Sequence, residues 1–381
     1  MIKLLSIDPS QQLGGKGFFL RTLKDGLEEK GIKVEVFAID NYSKGFLYLF
    51  TQIPAGLLNR LKVGLGNFWV GILKGLLVFL KTVFHLRKND VCHCQDVFSA
   101  LPSIWYRNLL NNRVTIILTV HSMGATWQEL SNNGFIAKGS VEQKTLRKLD
   151  AYVYQQVDRL VTVSEAAKSK LLLDMQMNLS IDVIYNGISD HKHKNVISRQ
   201  SLGLSDQDFV MCTVGALVPV KGHCFIIESM NEVLRYLPNV RYLIIGAGQL
   251  EGHLKSLAVE NKVSDKVKFL GKREDVREIL LSVDLFISPS LQESFGYAVV
   301  EAMLDRVPVL VSDSGGPAEL VRKSLGGMTF KVSDRDDLIK QIIELYNNKD
   351  LRIKITNKAY DWAKNNLLTE HTVMHYLKLY Q

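Results

Sequence analysis

Two glutamates separated by seven residues, Glu293 and Glu301, carry the clearest chemistry in the chain. They lie in SPSLQESFGYAVVEAML, where an apolar run ends at Ser288, a loop with Pro289 and Gly296 follows, and a helix opens with Tyr297 and Glu301 in its first turns. One carboxylate precedes the helix and the other lies within it. Such a pair sits over one strand end at two depths, which suits hydrogen bonding to two hydroxyl-rich parts of one ligand. Backbone N–H groups from Phe295 to Tyr297 add donors at the helix N-terminus. Taken singly, the same residues read equally well as a capping carboxylate at Glu293 and a solvated Glu301.

Two further stretches have the residue types that hold phosphate. VGALVPVKGH sets Gly215 at a strand end, then Lys221 and Gly222, a cation beside a backbone that an anion can approach closely. LGGKG sets Gly14, Gly15 and Gly17 before a helix whose dipole favours an anion, although the cluster also reads as a plain turn. Metal chemistry has little support. Asp334, Asp336 and Asp337 directly precede the helical run LIKQIIELY and read as cap and first-turn acids. Cys92, His93 and Cys94 alternate faces on a strand, so they cannot all ligate one ion. GAGQLEG from Gly246 has the wrong spacing for a dinucleotide fingerprint and reads as a turn.

These residues need strand ends to hold them, and the pattern supplies strands. Ile2–Ile7, Val34–Ile39, Asp90–Cys94, Val114–Val120, Arg159–Val163 and Asp182–Tyr185 are short apolar runs separated by helical or loop-like sequence. A polar stretch from Ser189 to Gln207 reads as a linker. A second series follows at Phe209–Val214, Val240–Ile245, Lys266–Leu270, Val283–Ser288, Pro308–Ser312 and Met328–Lys331. Alternation of this kind predicts parallel sheets covered by helices. The expected fold class is therefore α/β, with two Rossmann-like domains facing across a cleft and ligands outside the carboxyl ends of the strands.

Composition agrees with a two-domain globular chain. There are 381 residues, 46% hydrophobic and 23% charged. Four cysteines without paired CxxC spacing are too few for a disulfide framework and point to a reducing cytoplasm. MIKLLSID reads as a strand and not as a secretory signal. Net charge is +8, yet seven Lys/Arg and no acid fall between Asn41 and Asn89, so this one segment holds nearly the whole excess. A nucleic-acid binder would spread its cations over contact surfaces. The segment's longest uncharged stretch, Gly45–Asn59, is broken by Pro54 and falls short of the ~20 apolar residues that span a bilayer. Lys74, Lys81 and Lys88 recur every seven residues, and on a helix they would form a stripe beside Leu73, Leu77, Phe79, Leu80 and Phe84. That pattern predicts docking of 41–89 on an anionic membrane surface. The competing expectation is an apolar face that covers the sheet.

Taken together, the motifs resemble the retaining glycosyltransferases of the group 1 family, commonly numbered family 4, which have the GT-B fold. The resemblance rests on Glu293 and Glu301 in their E-S-F-G context, the GALVPVKG loop and the GGKG loop. It extends through HSMG after Val120, VSEAAKSKL from Val163, YNGIS from Tyr185, FLGKREDV from Phe269 and SGGPAELV from Ser314, in the family's order. It implies a catalytic set of His121, Lys221 and Glu293. His121 approaches the donor sugar, Lys221 binds the diphosphate, and Glu293 with the Phe295 and Gly296 backbone holds hydroxyls of the transferred sugar. Glu301 accepts from the donor ribose. Gly15 and Gly215 bring backbone to the phosphates, and Gly271 to Arg273 lies near the base, with Arg273 reading equally as an exposed loop residue. Ser164 and Asn186 read as a helix cap and a strand terminus.

The resemblance also implies an organisation: 1–190 as acceptor-side domain, 191–360 as donor domain, and a helix over 361–381 crossing back to the first. It implies a UDP- or GDP-linked donor, a glycan or lipid-linked acceptor, no metal or other cofactor, no nucleic acid, and a place on the cytoplasmic face of the membrane. One departure stands out. Where many members have arginine before the Lys-Gly pair, this chain has Ala216, so one expected cation is missing. A nucleotide-sugar epimerase of the same fold and a non-catalytic sugar-nucleotide-binding protein remain as alternatives.

Overall fold

The computed structural model describes residues 1–6, 15–38, 65–110, 113–132, 135–190, 193 and 196–381. Gly14, residues 41–64 with Lys44, Arg60 and Lys62, and the side chains of Phe68, Trp69, Phe79 and Lys81 lie outside the described residues. The chain divides into two compact units, Met1–Gly187 with Thr369–Gln381, and Ile188–Leu368.

The first unit holds β1 (Ile2–Leu5), β2 (Val34–Phe37), β3 (Val91–Cys94), β4 (Thr115–Val120), β5 (Arg159–Thr162) and β6 (Ile181–Val183), all parallel, in the order β2-β1-β3-β4-β5-β6. The second holds β7 (Phe209–Val214), β8 (Val240–Ile245), β9 (Val267–Gly271), β10 (Leu285–Ser288), β11 (Val309–Ser312) and β12 (Met328–Phe330), in the order β12-β11-β10-β7-β8-β9. Every anticipated strand is present, several trimmed at their ends. Both sheets are covered by helices, which is why β3, β10 and β11 are buried along their whole length and read as unbroken apolar runs. Strand order reverses between β1 and β3 in one sheet and between β7 and β10 in the other. Crevices for ligands open at such reversals, at the carboxyl ends of the strands.

Two expectations about the joints are corrected. The stretch from Ser189 to Gln207 is not a free linker. Leu202 and Leu204 are buried, and Arg199 donates to Ser282 O at 3.2 Å, to Asp208 O at 2.9 Å and to Asp284 Oδ2 at 2.7 Å, so its latter half is part of the second unit. Nor is 361–381 one returning helix. The helix Lys349–Asn366 is buried in the second unit through Ile355, Ala359 and Ala363, and only the helix Thr369–Leu379 belongs to the first.

That last helix is locked to the first sheet by apolar packing and by a buried polar chain. Val373 and Tyr376 join a core of Phe19, Leu23, Ile117 and Val161. Tyr376 Oη lies 2.9 Å from Thr119 Oγ1, Thr119 lies 2.8 Å from His93 Nε2, and His93 Nδ1 lies 2.7 Å from Tyr380 Oη. Burial pushes the His93 imidazole down to about 3, so it works as a neutral link in this chain. Cys92 and Cys94 point the other way, into the core with Ile104 and Leu118.

The helix Leu65–Val83 also departs from expectation. It stops at Val83, so Lys88 lies beyond it and the stripe of three lysines does not form on one helix. Its inward positions are Gly71, Gly75, Val78 and Thr82, and the glycines admit Phe98 so closely that a Cβ on Gly75 would stand 2.1 Å from the Phe98 carbonyl oxygen. Leu76, Leu80 and the following Phe84 face outward, 41%, 47% and 87% exposed, while Ile72, Leu73 and Leu77 are partly buried.

Replacing Tyr376 by Ala is expected to cost the first unit about 3–5 kcal/mol, the usual loss for a buried aromatic. Tyr376→Phe should cost far less, since it keeps the ring and gives up one hydroxyl. Hydrogen exchange resolved by peptide checks this, with protection falling in β3 and β4 and holding in β7 and β10.

Candidate active site

The second unit's reversal point is built by two loops pressed together. After β7 the chain runs through Gly215, Ala216 and Leu217 to Lys221, and after β10 it runs through Pro289 to Gly296. Gly222 has φ +70, and a Cβ there would lie 2.1 Å from the Pro289 carbonyl oxygen, so only glycine allows this contact. Leu291 N donates to Val220 O at 2.8 Å across the same seam. The loop after β8 braces it from the other side, where Leu217 N donates to Ala247 O and Leu250 N to Leu217 O, both at 3.0 Å. The GAGQLEG turn is therefore a strut for the Gly215–Lys221 loop. The Lys221 stem lies over Gly215, its nearest carbon 3.7 Å from where a Cβ would be.

This seam sets Lys221 and Glu293 side by side, and they form an ion pair through Lys221 Nζ and Glu293 Oε2, both partly buried. The expectation that Lys221 meets phosphate and Glu293 meets sugar hydroxyls is thus joined by a contact the sequence did not disclose. Gly316 N donates to Glu293 O at 2.8 Å, so the SGGP turn carries the Glu293 backbone. Phe295 is buried. Gly296, at φ +95, ends the loop and starts the helix Tyr297–Leu304, turning the first-turn amides toward the strand ends.

Glu301 sits on that helix, two turns beyond Glu293. No described residue makes a hydrogen bond to its carboxylate. Burial pushes the carboxyl up to about 7, with Arg277 opposing the shift and Asp305 adding to it. Arg277 and Asp305 are themselves buried and form a two-pronged pair, Nε to Oδ2 at 2.8 Å and Nη2 to Oδ1. Sequence reading missed both, because neither belongs to a motif and they lie 28 positions apart.

In the first unit, His121 follows β4. Its Nε2 lies 2.8 Å from Gln95 Oε1, and Gln95 Nε2 donates to His93 O, which assigns the proton to His121 Nε2 and leaves Nδ1 as an acceptor. Burial, with Lys16 and His93 adding to it, holds the ring well below the usual histidine value, so it is neutral. Phe19 meets it edge-on at 4.7 Å. Beside it is a cavity of about 200 Å3, lined by Gln95, Phe98, Val120, His121, Glu129 and Phe135 among others. Gln95 was not anticipated either.

The remaining candidates fall as follows. Gly15 and Gly17 do not precede the helix but form its first turn in Gly15–Glu29, where their amides belong to the helix N-terminus. Arg273 is exposed, and its fork is engaged by Asp275 at 2.7 and 2.5 Å. Asp334 caps its helix by accepting from Asp337 N at 3.0 Å, and Asp337 accepts from Lys331 N. Ser164 caps likewise through Ala167 N. Asn186 lies three residues beyond β6 and not at its end, and it is buried with no partner for Oδ1 among the described residues.

The comparisons with known proteins bear on this geometry. Residues 13–192 match the family model described as Glycosyltransferase Family 4, and residues 195–362 match that described as Glycosyl transferases group 1. An uncharacterised glycosyltransferase of Methanocaldococcus jannaschii is 27% identical over 305 residues, covering 79% of this chain and 78% of that protein. The UDP-Gal:alpha-D-GlcNAc-diphosphoundecaprenol alpha-1,3-galactosyltransferase of Escherichia coli is 27% identical over 58% of this chain and 61% of its own. Among solved structures, Anabaena HepE in complex with UDP and glucose superposes with a TM-score of 0.73 at 19% identity, covering 100% of this chain and 99% of that one. The sucrose-phosphate synthase of Thermosynechococcus elongatus gives 0.78 at 18% identity, covering 100% and 98%. Two Rossmann-like units with this strand order define the GT-B architecture. The chain belongs to the group 1, family 4 glycosyltransferases.

The raised Glu301 carboxyl yields a stability test. A carboxyl raised from 4.5 to about 7 in the folded chain contributes stability that is fully present below about pH 4.5 and lost as the pH rises through 7. Glu301→Gln removes that loss. Relative to wild type, the variant should gain in melting temperature on going from pH 5 to pH 8. A difference that does not change with pH would mean that Glu301 is an ordinary solvated acid.

Proposed function

We propose that the chain transfers a sugar from a UDP- or GDP-linked donor to a hydroxyl of a glycan or lipid-linked acceptor, with retention at the anomeric carbon and without a metal. The observation that carries this reading is the convergence of Lys221, Glu293 and Glu301 at one reversal of strand order. A diphosphate entering there exchanges with Glu293 for the ammonium of Lys221, and the released Glu293 carboxylate then accepts from hydroxyls of the sugar. Glu301, ionised, accepts from the ribose. As the glycosidic bond breaks, negative charge gathers on the diphosphate, and Lys221 with the first-turn amides after Gly296 stabilises it. His121, with Nδ1 open as an acceptor, suits a sugar hydroxyl. Family membership favours a front-face displacement, in which the acceptor enters on the side that the leaving group vacates. The complexes of HepE with UDP and with UDP and glucose support the donor class by analogy of fold.

A membrane surface as partner gains support from the helix Leu65–Val83. Its Gly71, Gly75 and Val78 face the core, while Leu76 and Leu80 face out, and covering the sheet does not explain those two. Leu76, Leu80 and Phe84 are exposed within a stretch of 49 residues holding seven cations and no acid. Apolar side chains rimmed by cations bind anionic lipid, each cation near the surface adding ~1 kcal/mol at most. No helix among the described residues is long and apolar enough to cross a membrane. The protein is then peripheral on the cytoplasmic face, where lipid-linked acceptors are built.

Assayed in EDTA against a panel of nucleotide sugars and glycan acceptors, the wild type should turn over and give a product with the donor's anomeric configuration by NMR coupling. Lys221→Ala should lower kcat/KM by roughly a hundredfold, the loss of one charged contact in the transition state. Epimer formed from donor alone would point to an epimerase, and binding without turnover would point to a silent binding protein.

Flotation with liposomes tests the surface. Wild type should rise with anionic vesicles at low salt and stay behind with neutral ones, and Leu76→Ser with Leu80→Ser and Phe84→Ser should abolish the difference. Equal recovery on both lipids, or none, would leave the acceptor soluble.

A further inference from the structure

The Arg277–Asp305 pair is not explained as a strut. Buried ion pairs give little net stability compared with apolar residues of the same size. This one also leaves a guanidinium nitrogen, Arg277 Nη1, buried with no hydrogen-bond partner. Its position is more telling than its energy. Arg277 comes from the short helix Val276–Leu280, while Asp305 ends the helix that carries Glu301, one turn further on. The guanidinium is thereby clamped against the helix of the unpartnered carboxylate, and Arg277 and Asp305 are the two charged groups that act on Glu301. The inward residues of the neighbouring helix Lys349–Asn366 are Ile355, Thr356, Ala359 and Ala363, and β10 and β11 contribute LFIS and VLVS, none of them ionisable. His193 Nε2 reaches Asp305 Oδ1 at 3.0 Å and completes the surroundings of the pair.

We propose that Arg277 is a positioning residue for donor binding: locked by Asp305, its guanidinium holds the Glu301 carboxylate in the ionised form that accepts ligand hydroxyls. The inference rests on the reading of Glu301 as a ligand contact. Its logic is electrostatic. A carboxylate that is partly buried without a hydrogen-bond donor tends to take up a proton, and a protonated Glu301 presents a donor of its own at one oxygen, where a ligand hydroxyl would otherwise donate. Arg277 works against that tendency, and Asp305 both aims Arg277 and adds a charge of the opposite effect. Removing the guanidinium should therefore move the acid limb of ligand binding to higher pH, whereas Arg277→Lys should leave it near that of wild type, a difference that loss of mere structural support would not make.

The test is affinity of the full chain for UDP-glucose and for GDP-mannose between pH 5.5 and 9, a range in which their diester diphosphates do not titrate. In wild type, binding should weaken as the pH falls below about 7. In Arg277→Met the weakening should begin at higher pH, with affinity at pH 7 down about tenfold and largely restored at pH 9. In Arg277→Lys, which keeps the positive charge, it should begin near the wild-type pH. Acid limbs that stay in place in both variants, or that move equally in both, overturn the role of Arg277. If Arg277→Met fails to fold, Arg277→Gln, which also removes the charge, decides by the direction of its limb. Glu301→Gln separates the two layers: a variant that binds as wild type does, or a wild type that binds neither nucleotide sugar, removes the reading of Glu301 itself. A Glu301→Gln variant that binds weakly, beside unmoved limbs in the other two, removes only Arg277.

Discussion

The contact between the Gly222 backbone and the Pro289 carbonyl fixes most of what the second unit can do. Strands β7 and β10 are neighbours in the sheet but lie far apart in sequence, and the loops after them leave in different directions, as the reversal of strand order requires. A side chain at 222 would hold those loops apart, because its Cβ would fall 2.1 Å from an oxygen. Glycine lets them touch, Leu291 N closes the seam on Val220 O, and Lys221 and Glu293 are then obliged to meet. The ion pair is a result of the seam and not its cause, since a partly exposed Lys–Glu pair is worth little by itself.

The same seam bears on the missing cation. Position 216 contributes no charge, but its carbonyl lies 3.2 Å from His223 Nε2, so the backbone of the loop orients the first residue of the next helix. Of the other cations carried by loops at this edge, Arg273 is occupied by Asp275 on the surface. Lys221 is therefore the cation that the seam itself commits, with helix amides making up the rest of the positive potential. Its partner Glu293 keeps that ammonium in place until another anion takes over the contact, and the released carboxylate stays in the site.

Much of this was legible before any coordinates, and the pattern of what was not is physical. Strands buried on both faces announce themselves as apolar runs, so both sheets could be read directly. Glu293, Glu301, Lys221 and His121 stand at strand ends in recognisable loops. Gln95, Arg277 and Asp305 were not visible, since a buried polar residue shows itself only through its partner, and these partners are brought together by the fold and not by spacing. The joints were misjudged for a related reason. Polar sequence from Ser189 to Gln207 hides Leu202 and Leu204 as anchors, and a family resemblance does not reveal where one C-terminal helix stops and the next begins. In the helix Leu65–Val83 the seven-residue spacing of lysines overran the helix, which stops before Lys88, and hydropathy gave no sign that Gly71 and Gly75 face inward because Phe98 needs the room.

The two units use one architecture for opposite electrostatics. In the second, the reversal point gathers charge: an ammonium, two carboxylates and a guanidinium within a few loops and one short helix. In the first, the described part of the corresponding edge carries a neutral imidazole, an amide that fixes its tautomer and a cavity whose wall has Lys16, Asp96 and Glu129 beside Phe98, Val120 and Phe135. Lys16, which lines that cavity, itself helps to suppress protonation of His121. A ring held neutral this firmly cannot serve as the cation for a phosphate, and burial at this edge raises the cost of any bare charge placed beside it. What sets the two described edges apart is thus which groups each keeps ionised: a paired ammonium and carboxylate with a guanidinium nearby in the second, an imidazole held neutral in the first.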